Sequence, residues 1–515
     1  MAKGILFANG RLCGVVAGAT AQECWQQLAH ALRRTRTVEL RLDWLKDDAE
    51  FRRFISILRR RRRESGTSLI ATCRRKEAGG KFSGSVTAQL SRLRDAVRAG
   101  CDWVDLEIES VDSVPRFVLD IYTAGARRIL SHHDFRKTRA RRRLSALAKK
   151  LDVVRRRGGF DAVKIAMECS SIRDGLHVLK LARAESGVIA VPMGDVVTPL
   201  RILALREGSA LVYAPVQTAT APGQISLEEM NDLYRADHLS HKTSIYGVIG
   251  RPIAHSLSPI LHNAAFAARR IKAVYLPFMV NDLRDFLCAI EPLGIKGFSI
   301  TLPYKETILR HLDDCDPLAA AIGAVNTVVV RGGGKLFGYN TDYVGVLRAL
   351  EKRIPLTGSR VLIFGAGGAA RAIAFALSKG GASVSLCARR PEQARRLARA
   401  VHGQATPRAS LKREFFDAIV NATPVGMHPN ADQSPLSPRE LNCRLVFDTI
   451  YRPQQTKLLR LAAQKGIETI SGVEMFLAQG IAQWEIWTGT RAPEEVMRRA
   501  VLRSLAAEDR KRSES

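Results

Sequence analysis

The strongest constraint on the fold is a series of eight short runs rich in branched apolar residues, spread over residues 12 to 216. The runs begin at residues 12, 38, 68, 103, 127, 161, 188 and 210, and helical stretches such as AQECWQQLAHALRR lie between them. Strands that alternate with helices form parallel sheets, and eight such units in a segment of this length are typical of a (β/α)8 barrel. We therefore expect the first domain, residues 1–238, to be such a barrel.

Composition narrows the class of protein. A chain of 515 residues is too long for one hydrophobic core and predicts two or three domains. No apolar run approaches the ~18 residues that a membrane helix needs, and the first residues lack the layout of a signal peptide. The nine cysteines are scattered singly without a C-x-x-C pair, which favours a reducing compartment and argues against a disulfide framework or a zinc site. We expect a cytoplasmic protein with neither a metal nor a membrane partner; an organellar origin with its transit peptide removed stays open.

The net charge of +30 comes mostly from arginine, with runs at residues 59–63 and 136–143. Such runs are compatible either with a nucleic-acid surface or with solvated helix faces. Neither interleaved aromatic residues nor a DNA-binding motif accompanies them, so we favour the second interpretation. The expected partners are small-molecule substrates and not nucleic acid, and the sequence does not indicate an oligomeric state.

One lysine lies in the middle of a predicted buried strand, FDAVKIAM at residues 160–167. Lys164 has Val163 and Ile165 beside it, and an apolar barrel wall disfavours its charged form. A neutral amine is the nucleophile that forms Schiff bases with ketones. The alternative is a strand-end lysine that reaches solvent. Polar residues at or just beyond the ends of other predicted strands favour an active site; these are Glu39, Arg41, Arg74, His133 and Arg201.

The motifs SHHDF, VKIAM and TATAPGQIS resemble the type I 3-dehydroquinate dehydratase family, and the resemblance covers essentially the whole first half. It implies that Lys164 forms an imine with the substrate ketone and that His133 moves the protons of the elimination. A histidine that titrates near neutrality suits both proton transfers. Adjacent His132 should point to the opposite side of the strand, and we expect it to be structural.

The same resemblance assigns the groups that bind an anionic, hydroxylated ring. Arg201 takes the carboxylate, since a guanidinium can bind a carboxylate through two hydrogen bonds. Hydroxyl binding or ordering of the site is implied for Glu39, Arg41 and Arg74, and closure of a loop over the ring for Thr220 and Gln224.

The chain departs from this family in the loop CRRKEAGG. Ala78 stands where the family often has a glutamate that orients the catalytic histidine, and Glu77 is one place away. Either the loop shifts by one residue or His133 has weaker support.

The stretch RVLIFGAGGAARAIAFALSKGGASVSLCARR, residues 360–390, has the layout of a dinucleotide-binding βαβ unit. A β run enters a glycine-rich segment and a helix follows, so that a pyrophosphate can lie on the helix N-terminus. At the end of the second strand, Arg389 and Arg390 replace the acidic residue typical of NAD sites and favour NADP. The alternative is that both arginines belong to the basic helix that follows. The glycine-rich segment consists of Gly365, Ala366, Gly367, Gly368 and Ala369.

Motifs of the second half, among them SLSP, SITLPYKE, GYNTDYVG, NATPVGM and GVEMFLAQ, resemble shikimate dehydrogenases. The resemblance implies that Lys305 donates a proton to the carbonyl oxygen during hydride transfer and that Asp342 is its partner. An ammonium held by a carboxylate suits the stabilisation of a developing alkoxide; the alternative is a structural salt bridge. Ser299 stands where many relatives have asparagine, which shortens its reach to a ring hydroxyl. The other implied ligands are Ser256, Ser258, Thr301, Asn326, Tyr451 and Gln479 for the ring, and Thr423 and Gly472 for the cofactor.

The two halves together resemble the bifunctional dehydroquinate dehydratase/shikimate dehydrogenase family. The expected fold is α/β, with an N-terminal (β/α)8 barrel followed by a two-domain shikimate dehydrogenase module. We expect a substrate domain at residues 243–345, completed by 471–515, and a Rossmann domain for NADP at 346–470. The implied reactions are the dehydration of 3-dehydroquinate and the NADPH-dependent reduction of 3-dehydroshikimate to shikimate. Two alternatives stay open: quinate as the ring of the second site, and a regulatory or binding protein that kept both folds but lost catalysis.

Overall fold

The computed structural model describes residues 7, 10–60, 66–136, 140–217 and 223–514. The chain divides into two compact units, the first formed by Met1–Ser244 with Phe278–Leu293 and the second by Ile245–Pro277 with Gly294–Ser515. None of the helices within the described ranges combines the length and apolar character that crossing a bilayer requires. Within the same ranges, no group of three histidine, cysteine, aspartate or glutamate side chains is placed to hold a metal ion.

Eight parallel strands form the first sheet, and each of the eight predicted runs overlaps one of them. The strands are β1 Leu12–Val16, β2 Thr37–Arg41, β3 Ser68–Thr72, β4 Trp103–Glu107, β5 Arg127–Asp134, β6 Ala162–Glu168, β7 Val188–Met193 and β8 Val212–Pro215. Their order is β7-β6-β5-β4-β3-β2-β1-β8. A hydrogen bond of 2.9 Å from Ala210 N to Val188 O joins the two ends of the sheet. The predicted barrel is therefore confirmed.

Helices alternate with these strands. They are α1 Ala21–Leu32, α2 Asp48–Arg60, α3 Val86–Arg98, α4 Ile108–Val111, α5 Arg116–Tyr122, α6 Ala140–Gly158, α7 Ile172–Ala184 and α8 Thr198–Leu203. Inside the barrel, Ile70, Trp103 and Ile129 belong to one buried apolar cluster. Because side chains alternate along a strand, Asp105 and Ser131, two positions further on, face the same interior. The C-terminal strand ends thus bring polar groups together above an apolar core.

A second, mixed sheet has six strands. They are β9 Ser244–Gly250, β10 Ala273–Met279, β11 Ile295–Ile300, β12 Asp314–Cys315, β13 Thr327–Val330 and β14 Leu336–Tyr339, in the order β10-β9-β11-β13-β14-β12. Strand β11 runs parallel to β9 and antiparallel to β13. The helices of this region are α9 Ser258–Ala268, α10 Leu283–Leu287, α11 Ile290–Leu293, α12 Pro317–Ile322 and α13 Asp342–Leu350.

The third sheet is parallel in all its recorded pairs and also has six strands. They are β15 Arg360–Phe364, β16 Ser383–Cys387, β17 Gln404–Ala405, β18 Phe416–Asn421, β19 Cys443–Asp448 and β20 Glu468–Ile470, in the order β17-β16-β15-β18-β19-β20. This is the strand order of a Rossmann fold. The order switches between β15 and β18, and sheets of this kind bind nucleotides at that switch point. The predicted Rossmann fold is confirmed. Its helices and the C-terminal ones are α14 Gly368–Lys379, α15 Pro391–Ala400, α16 Lys457–Gln464, α17 Gly472–Thr488 and α18 Glu494–Glu514.

Helix α17, which follows the Rossmann sheet in the chain, packs back onto the mixed sheet. Gln483 Nε2 donates to Thr327 Oγ1 over 3.1 Å, and Trp487 Nε1 donates to Val328 O over 3.0 Å. Both bonds anchor α17 to β13. The division into domains at 1–238, 243–345 with 471–515, and 346–470 stays a prediction.

Candidate active sites

Lys164 is the centre of the barrel site. It lies in β6 beside Ser131 of β5 in the strand register, and its side chain is 7% exposed. Its Nζ lies 3.1 Å from Asp105 Oδ2 and 3.3 Å from Glu39 Oε1. The ring of Tyr213 lies 3.8 Å from the same nitrogen. The expectation that an apolar wall surrounds the amine is therefore wrong, because β4 and β2 bring two carboxylates to it across the barrel.

Asp105 links this lysine to an arginine. Its Oδ1 accepts hydrogen bonds from Arg74 Nη2 over 2.9 Å and from Ser131 Oγ over 2.6 Å. Burial alone would raise the pKa of the Asp105 carboxyl, but the charges of Arg74 and Lys164 outweigh it and lower the pKa to about 2. The carboxylate is therefore a permanent negative charge beside Lys164 at physiological pH. The sequence reasoning missed Asp105; its signal was an acidic residue at an inward position of WVDLEIES.

His133 faces the other side of Arg74. Arg74 Nη1 contacts both nitrogens of the imidazole, at 2.7 Å from Nε2. Burial and the nearby cations, first among them Arg74, lower the pKa of His133 well below its ordinary value. The expectation that it titrates near neutrality is therefore wrong, and the imidazole is neutral at physiological pH. Adjacent His132 instead has Nδ1 3.3 Å from Glu109 Oε1.

The loop after β3 shows how the departure at position 78 is accommodated. Ala78 is buried, while Glu77 is turned to the surface, where its Oε1 lies 3.1 Å from Arg75 Nη2. Glu107 of β4 is buried near this loop, accepts hydrogen bonds from Gln89 Nε2 and Arg75 N, and has its pKa raised by burial. The contact to His133 thus comes from a cation, Arg74, and not from Glu77.

The other predicted ring ligands of the barrel are placed as follows. Arg41 is held in bidentate fashion by Asp43, over 2.9 and 2.8 Å, and Glu39 Oε1 also accepts from Thr72 Oγ1 over 2.8 Å. Arg201 of α8 is 4% exposed, and burial lowers its pKa to about 10, a penalty that a substrate carboxylate would reverse. Gln224 is half-buried, and Thr220 lies outside the described residues.

The second site is built around Lys305 and Asp342. Lys305 Nζ donates to Asp342 Oδ2 over 2.5 Å, and the lysine side chain is 22% exposed. Asp342 is the first residue of α13, where the helix dipole favours a carboxylate. Its Oδ1 accepts from Asn326 Nδ2 over 2.8 Å, and Asn326 Oδ1 accepts from Thr341 N over 2.7 Å. The amide thus fixes the carboxylate that holds the lysine.

The predicted ring ligands of the second half lie on several different elements. Ser256 Oγ accepts from the backbone N–H of Ser258, the first residue of α9, over 3.3 Å. Thr301 follows β11 and is half-buried. Tyr451 packs its ring 5.0 Å from that of Phe476 on α17, and Gln479 Nε2 donates to Phe476 O over 2.8 Å.

The glycine-rich segment leaves space for a dinucleotide. Gly365 has φ +128°, and a Cβ there would lie 2.9 Å from Ala422 O, so only glycine fits. A Cβ on Gly367 or Gly368 would meet nothing within 4 Å, and no side chain caps the N-terminus of α14. Open space before an uncapped helix N-terminus suits a pyrophosphate. Exposed Arg389 and Arg390 follow β16, as a 2′-phosphate site requires.

Two further predicted cofactor residues are constrained by the residues around them. Thr423 donates its hydroxyl to Asn421 Oδ1 over 2.7 Å at the end of β18. Gly472 begins α17, and a side chain there would collide with the backbone of Thr449 and Ile450. Both follow strands on the β18 side of the Rossmann switch point. Their roles toward the cofactor stay predictions.

Comparison with known proteins also supports a separate activity for each half of the chain. Residues 12–241 match the family model of type I 3-dehydroquinase, residues 248–328 that of the shikimate dehydrogenase substrate binding domain, and residues 472–502 that of the shikimate 5'-dehydrogenase C-terminal domain. The chain is 34% identical over 481 residues to the chloroplastic bifunctional 3-dehydroquinate dehydratase/shikimate dehydrogenase of Arabidopsis thaliana, and the match covers 89% of this chain and 78% of that protein.

The second half has relatives of its own. It is 42% identical over 280 residues to the shikimate dehydrogenase (NADP(+)) of Methanothermobacter thermautotrophicus, covering 52% of this chain and 99% of that protein. The solved structure of shikimate 5-dehydrogenase from Thermus thermophilus in complex with NADP(H) and shikimate shares 37% identity at a TM-score of 0.48, covering 51% of this chain and all of that one.

The barrel is thus a type I dehydroquinase, a lyase, and the second half an NADP-dependent shikimate dehydrogenase, an oxidoreductase. The chain belongs to the family of bifunctional 3-dehydroquinate dehydratase/shikimate dehydrogenases. The resemblance predicted from the sequence is confirmed.

Proposed function

We propose that Lys164 and Lys305 carry the two consecutive reactions of this chain, 3-dehydroquinate to 3-dehydroshikimate in the barrel and 3-dehydroshikimate to shikimate in the second half. The observation that supports this proposal most is the pairing of each lysine with its own aspartate. Lys164 lies 3.1 Å from Asp105, and Lys305 lies 2.5 Å from Asp342. Two separate ion pairs at the predicted positions provide two separate reaction centres.

In the barrel, the Lys164 amine attacks the ketone carbon of 3-dehydroquinate, and the carbonyl oxygen leaves as water. The resulting iminium withdraws electrons from the neighbouring carbon, whose proton the neutral imidazole of His133 removes. The hydroxyl group one carbon further on then departs as water with the proton from His133. Hydrolysis of the imine releases 3-dehydroshikimate and restores the lysine.

The acidic neighbours of Lys164 suit this sequence of charges. The lysine attacks the ketone as the free amine, so its ammonium form must first lose a proton, and the iminium that follows is again a cation at the same place. Asp105 and Glu39 lie close enough to stabilise that cation, in a site where burial strengthens the interaction. Together with Lys164, Arg74 and Arg201 outweigh the negative charges of these two carboxylates. The site therefore carries a net positive charge that can bind the substrate carboxylate.

In the second half, Lys305 donates a proton to the carbonyl oxygen of 3-dehydroshikimate as the alkoxide develops. NADPH supplies the hydride when bound. Asp342 holds the ammonium in place, while Asn326 fixes the aspartate. We assign Ser256, Ser258 and Gln479 to the ring. Shikimate is the ring favoured by the family model, and quinate is the second candidate.

We further propose a reducing compartment, because all nine cysteines are free thiols. The cytoplasm is our first choice, although the Arabidopsis relative carries the word chloroplastic in its name. We propose no nucleic-acid partner.

The test uses one cuvette of purified full-length protein with 3-dehydroquinate and NADPH. Loss of NADPH absorbance requires both sites to work in sequence. If NADPH absorbance does not fall, 3-dehydroshikimate is added. A fall in absorbance at that point shows that the barrel is inactive and the second site is active, and Ala78→Glu is then the first variant to test for recovery of dehydration. An absorbance that still does not change would favour the non-catalytic alternative. Borohydride trapping followed by peptide mass analysis should find the substrate adduct on Lys164.

A further inference from the structure

A series of buried hydrogen bonds leads from the core of the mixed sheet to Asp342. Its middle consists of Thr327 of β13 and Gln483 of α17, which are 0% and 1% exposed. Gln483 Nε2 donates to Thr327 Oγ1 over 3.1 Å, and Thr327 Oγ1 donates to Asn326 Oδ1 over 2.8 Å. Asn326 Nδ2 in turn donates to Asp342 Oδ1 over 2.8 Å. Two residues without a predicted role are thus joined to the carboxylate that holds Lys305.

One backbone group fixes the direction of these bonds. The N–H of Thr341 can only donate, and it lies 2.7 Å from one end of the Asn326 amide, so that end is the oxygen. The hydroxyl of Thr327 therefore donates to the same oxygen and offers a lone pair to Gln483. Gln483 must then turn its NH2 group to Thr327.

The other end of Gln483 continues the series in the same direction. Its Oε1 accepts from Ser299 Oγ over 2.9 Å, and Ser299 Oγ accepts from the Tyr275 hydroxyl over 2.6 Å. His262 Nε2 lies 3.2 Å from the same Oε1. Ser299 thus donates its proton within the protein, and its contact with a ring hydroxyl stays a prediction. Each member donates to the next, and hydrogen bonds that follow one another in this way strengthen each other.

Asp342 connects this series to the chemistry. Its Oδ2 accepts from Lys305 Nζ, and its Oδ1 accepts the last hydrogen bond of the series. Loss of the Thr327 hydroxyl would weaken the hydrogen bond that Asn326 donates and give the amide more freedom. The carboxylate would then hold the ammonium in a less defined place, and a displaced proton donor acts less efficiently in the transition state.

We propose that Thr327 and Gln483 are positioning residues of the reductase, which act through Asn326 to fix Asp342 and thereby the ammonium of Lys305. This inference rests on the proposed function, because Lys305 is the proton donor there. Thr327 and Gln483 act on the proton donor and not on the bound ring. Their loss should therefore lower kcat and leave KM for 3-dehydroshikimate nearly unchanged.

The test is Thr327→Val in the full chain, which keeps the shape of the side chain and removes its hydroxyl. We expect reductase kcat to fall about fivefold and KM to change less than about twofold. Thr327→Ser restores the hydroxyl and should recover most of kcat; a serine variant as slow as the valine variant would overturn the proposal. Thr488→Val is the matched control on α17, because the Thr488 hydroxyl donates to Trp484 O outside the series. It should leave both constants unchanged.

The order of the effects separates positioning from burial. Gln483→Met acts one bond further from Asp342, so kcat should fall only about threefold, although Gln483 and Thr327 are equally buried. In an Asn326→Ala protein, which lacks the link to Asp342, Thr327→Val should cause no further loss of kcat. A second fivefold loss in that protein would contradict action through Asn326.

Asp342→Asn separates this inference from the proposed function. If Asp342→Asn leaves kcat unchanged, the assignment of Lys305 and Asp342 to the reductase centre is wrong. If Asp342→Asn lowers kcat and Thr327→Val does not, only the positioning role is overturned. Dehydratase activity and NADP binding report on the folding of each variant. Should Thr327→Val lose NADP binding, Gln483→Met replaces it, and an unchanged kcat there would overturn the proposal.

Discussion

The two lysines of this chain are each held by an aspartate, but their surroundings differ. The side chains of Lys164 and Asp105 are 7% and 0% exposed, and Glu39 adds a second carboxylate. Those of Lys305 and Asp342 are 22% and 11% exposed. A lysine that forms a covalent imine profits from exclusion of water, which would otherwise hydrolyse the intermediate early. A lysine that gives away a proton in each turnover needs solvent access to recover it.

The electrostatic consequence is that the barrel site is the more tightly coupled of the two. Lys164, Asp105, Arg74 and His133 form one continuous series of contacts. Changing one member alters the charge seen by the others, because the low dielectric of a buried site transmits it. Lys305, in contrast, depends mainly on Asp342 and, through it, on Asn326.

The largest expected effect is that of Lys164→Ala. Dehydratase kcat should fall by at least about 10⁴-fold, because the amine that forms the imine is removed, while reduction of 3-dehydroshikimate stays unchanged. Lys180 is exposed on α7, so Lys180→Ala is the matched control and should keep both activities. Separate assays with 3-dehydroquinate and 3-dehydroshikimate measure the two effects. Loss of reductase activity in a folded Lys164→Ala protein would contradict the independence of the two sites.

Lys305→Ala is the corresponding experiment at the second site, whose ion pair is more exposed to solvent. Reductase kcat should fall about 10²–10³-fold, less than in the barrel, because water can replace part of the proton donation. Asp342→Asn should cost about tenfold, since the carboxylate only holds the ammonium. The exposed Lys335→Ala is the control. Equal losses for Lys164→Ala and Lys305→Ala would mean that the difference in burial has no catalytic consequence.

The sequence predicts the fold of both regions well because their signals are local. The eight β runs each overlap a strand, and the segment from Gly365 to Ala369 follows β15 and leads into the first residues of α14, as expected. Local patterns of this kind do not depend on knowing which strands become neighbours. The pairing of Lys305 with Asp342, which are 37 residues apart, is implied instead by the resemblance of their motifs to a known family.

The barrel electrostatics were less predictable because they arise between distant residues. Asp105 is 59 residues from Lys164, and only the closed sheet brings the two within 3.1 Å. The lowered pKa of His133 follows from burial beside Arg74, which the residues of its own strand do not reveal. The same holds for the bond between Tyr275 and Ser299, 24 residues apart on different strands.

A smaller effect is expected at the cofactor arginines of the open site. Arg389→Ala with Arg390→Ala should raise KM for NADPH on the order of tenfold and leave KM for NADH unchanged, because only the 2′-phosphate loses its partner. Arg399→Ala, exposed on α15, is the control for lost positive charge. If KM for both cofactors rises equally, the two arginines act through general charge and not through the 2′-phosphate.

The smallest expected effect concerns how the rate of dehydration depends on pH. The same measurement is the sharpest test of whether His133 in the barrel is buried and neutral. A base must be unprotonated to accept a proton, and an ordinary histidine with a pKa of about 6.5 would already lose half its activity at that pH. Since burial and the charge of Arg74 lower the pKa of His133, dehydratase kcat should stay level from about pH 8 to about pH 6. Arg74→Gln removes one cation, which favours the imidazolium, so the acid limb should move toward neutral pH. The reductase activity of the same samples is the reference, and a wild-type limb centred near pH 6.5 would contradict a buried, neutral His133.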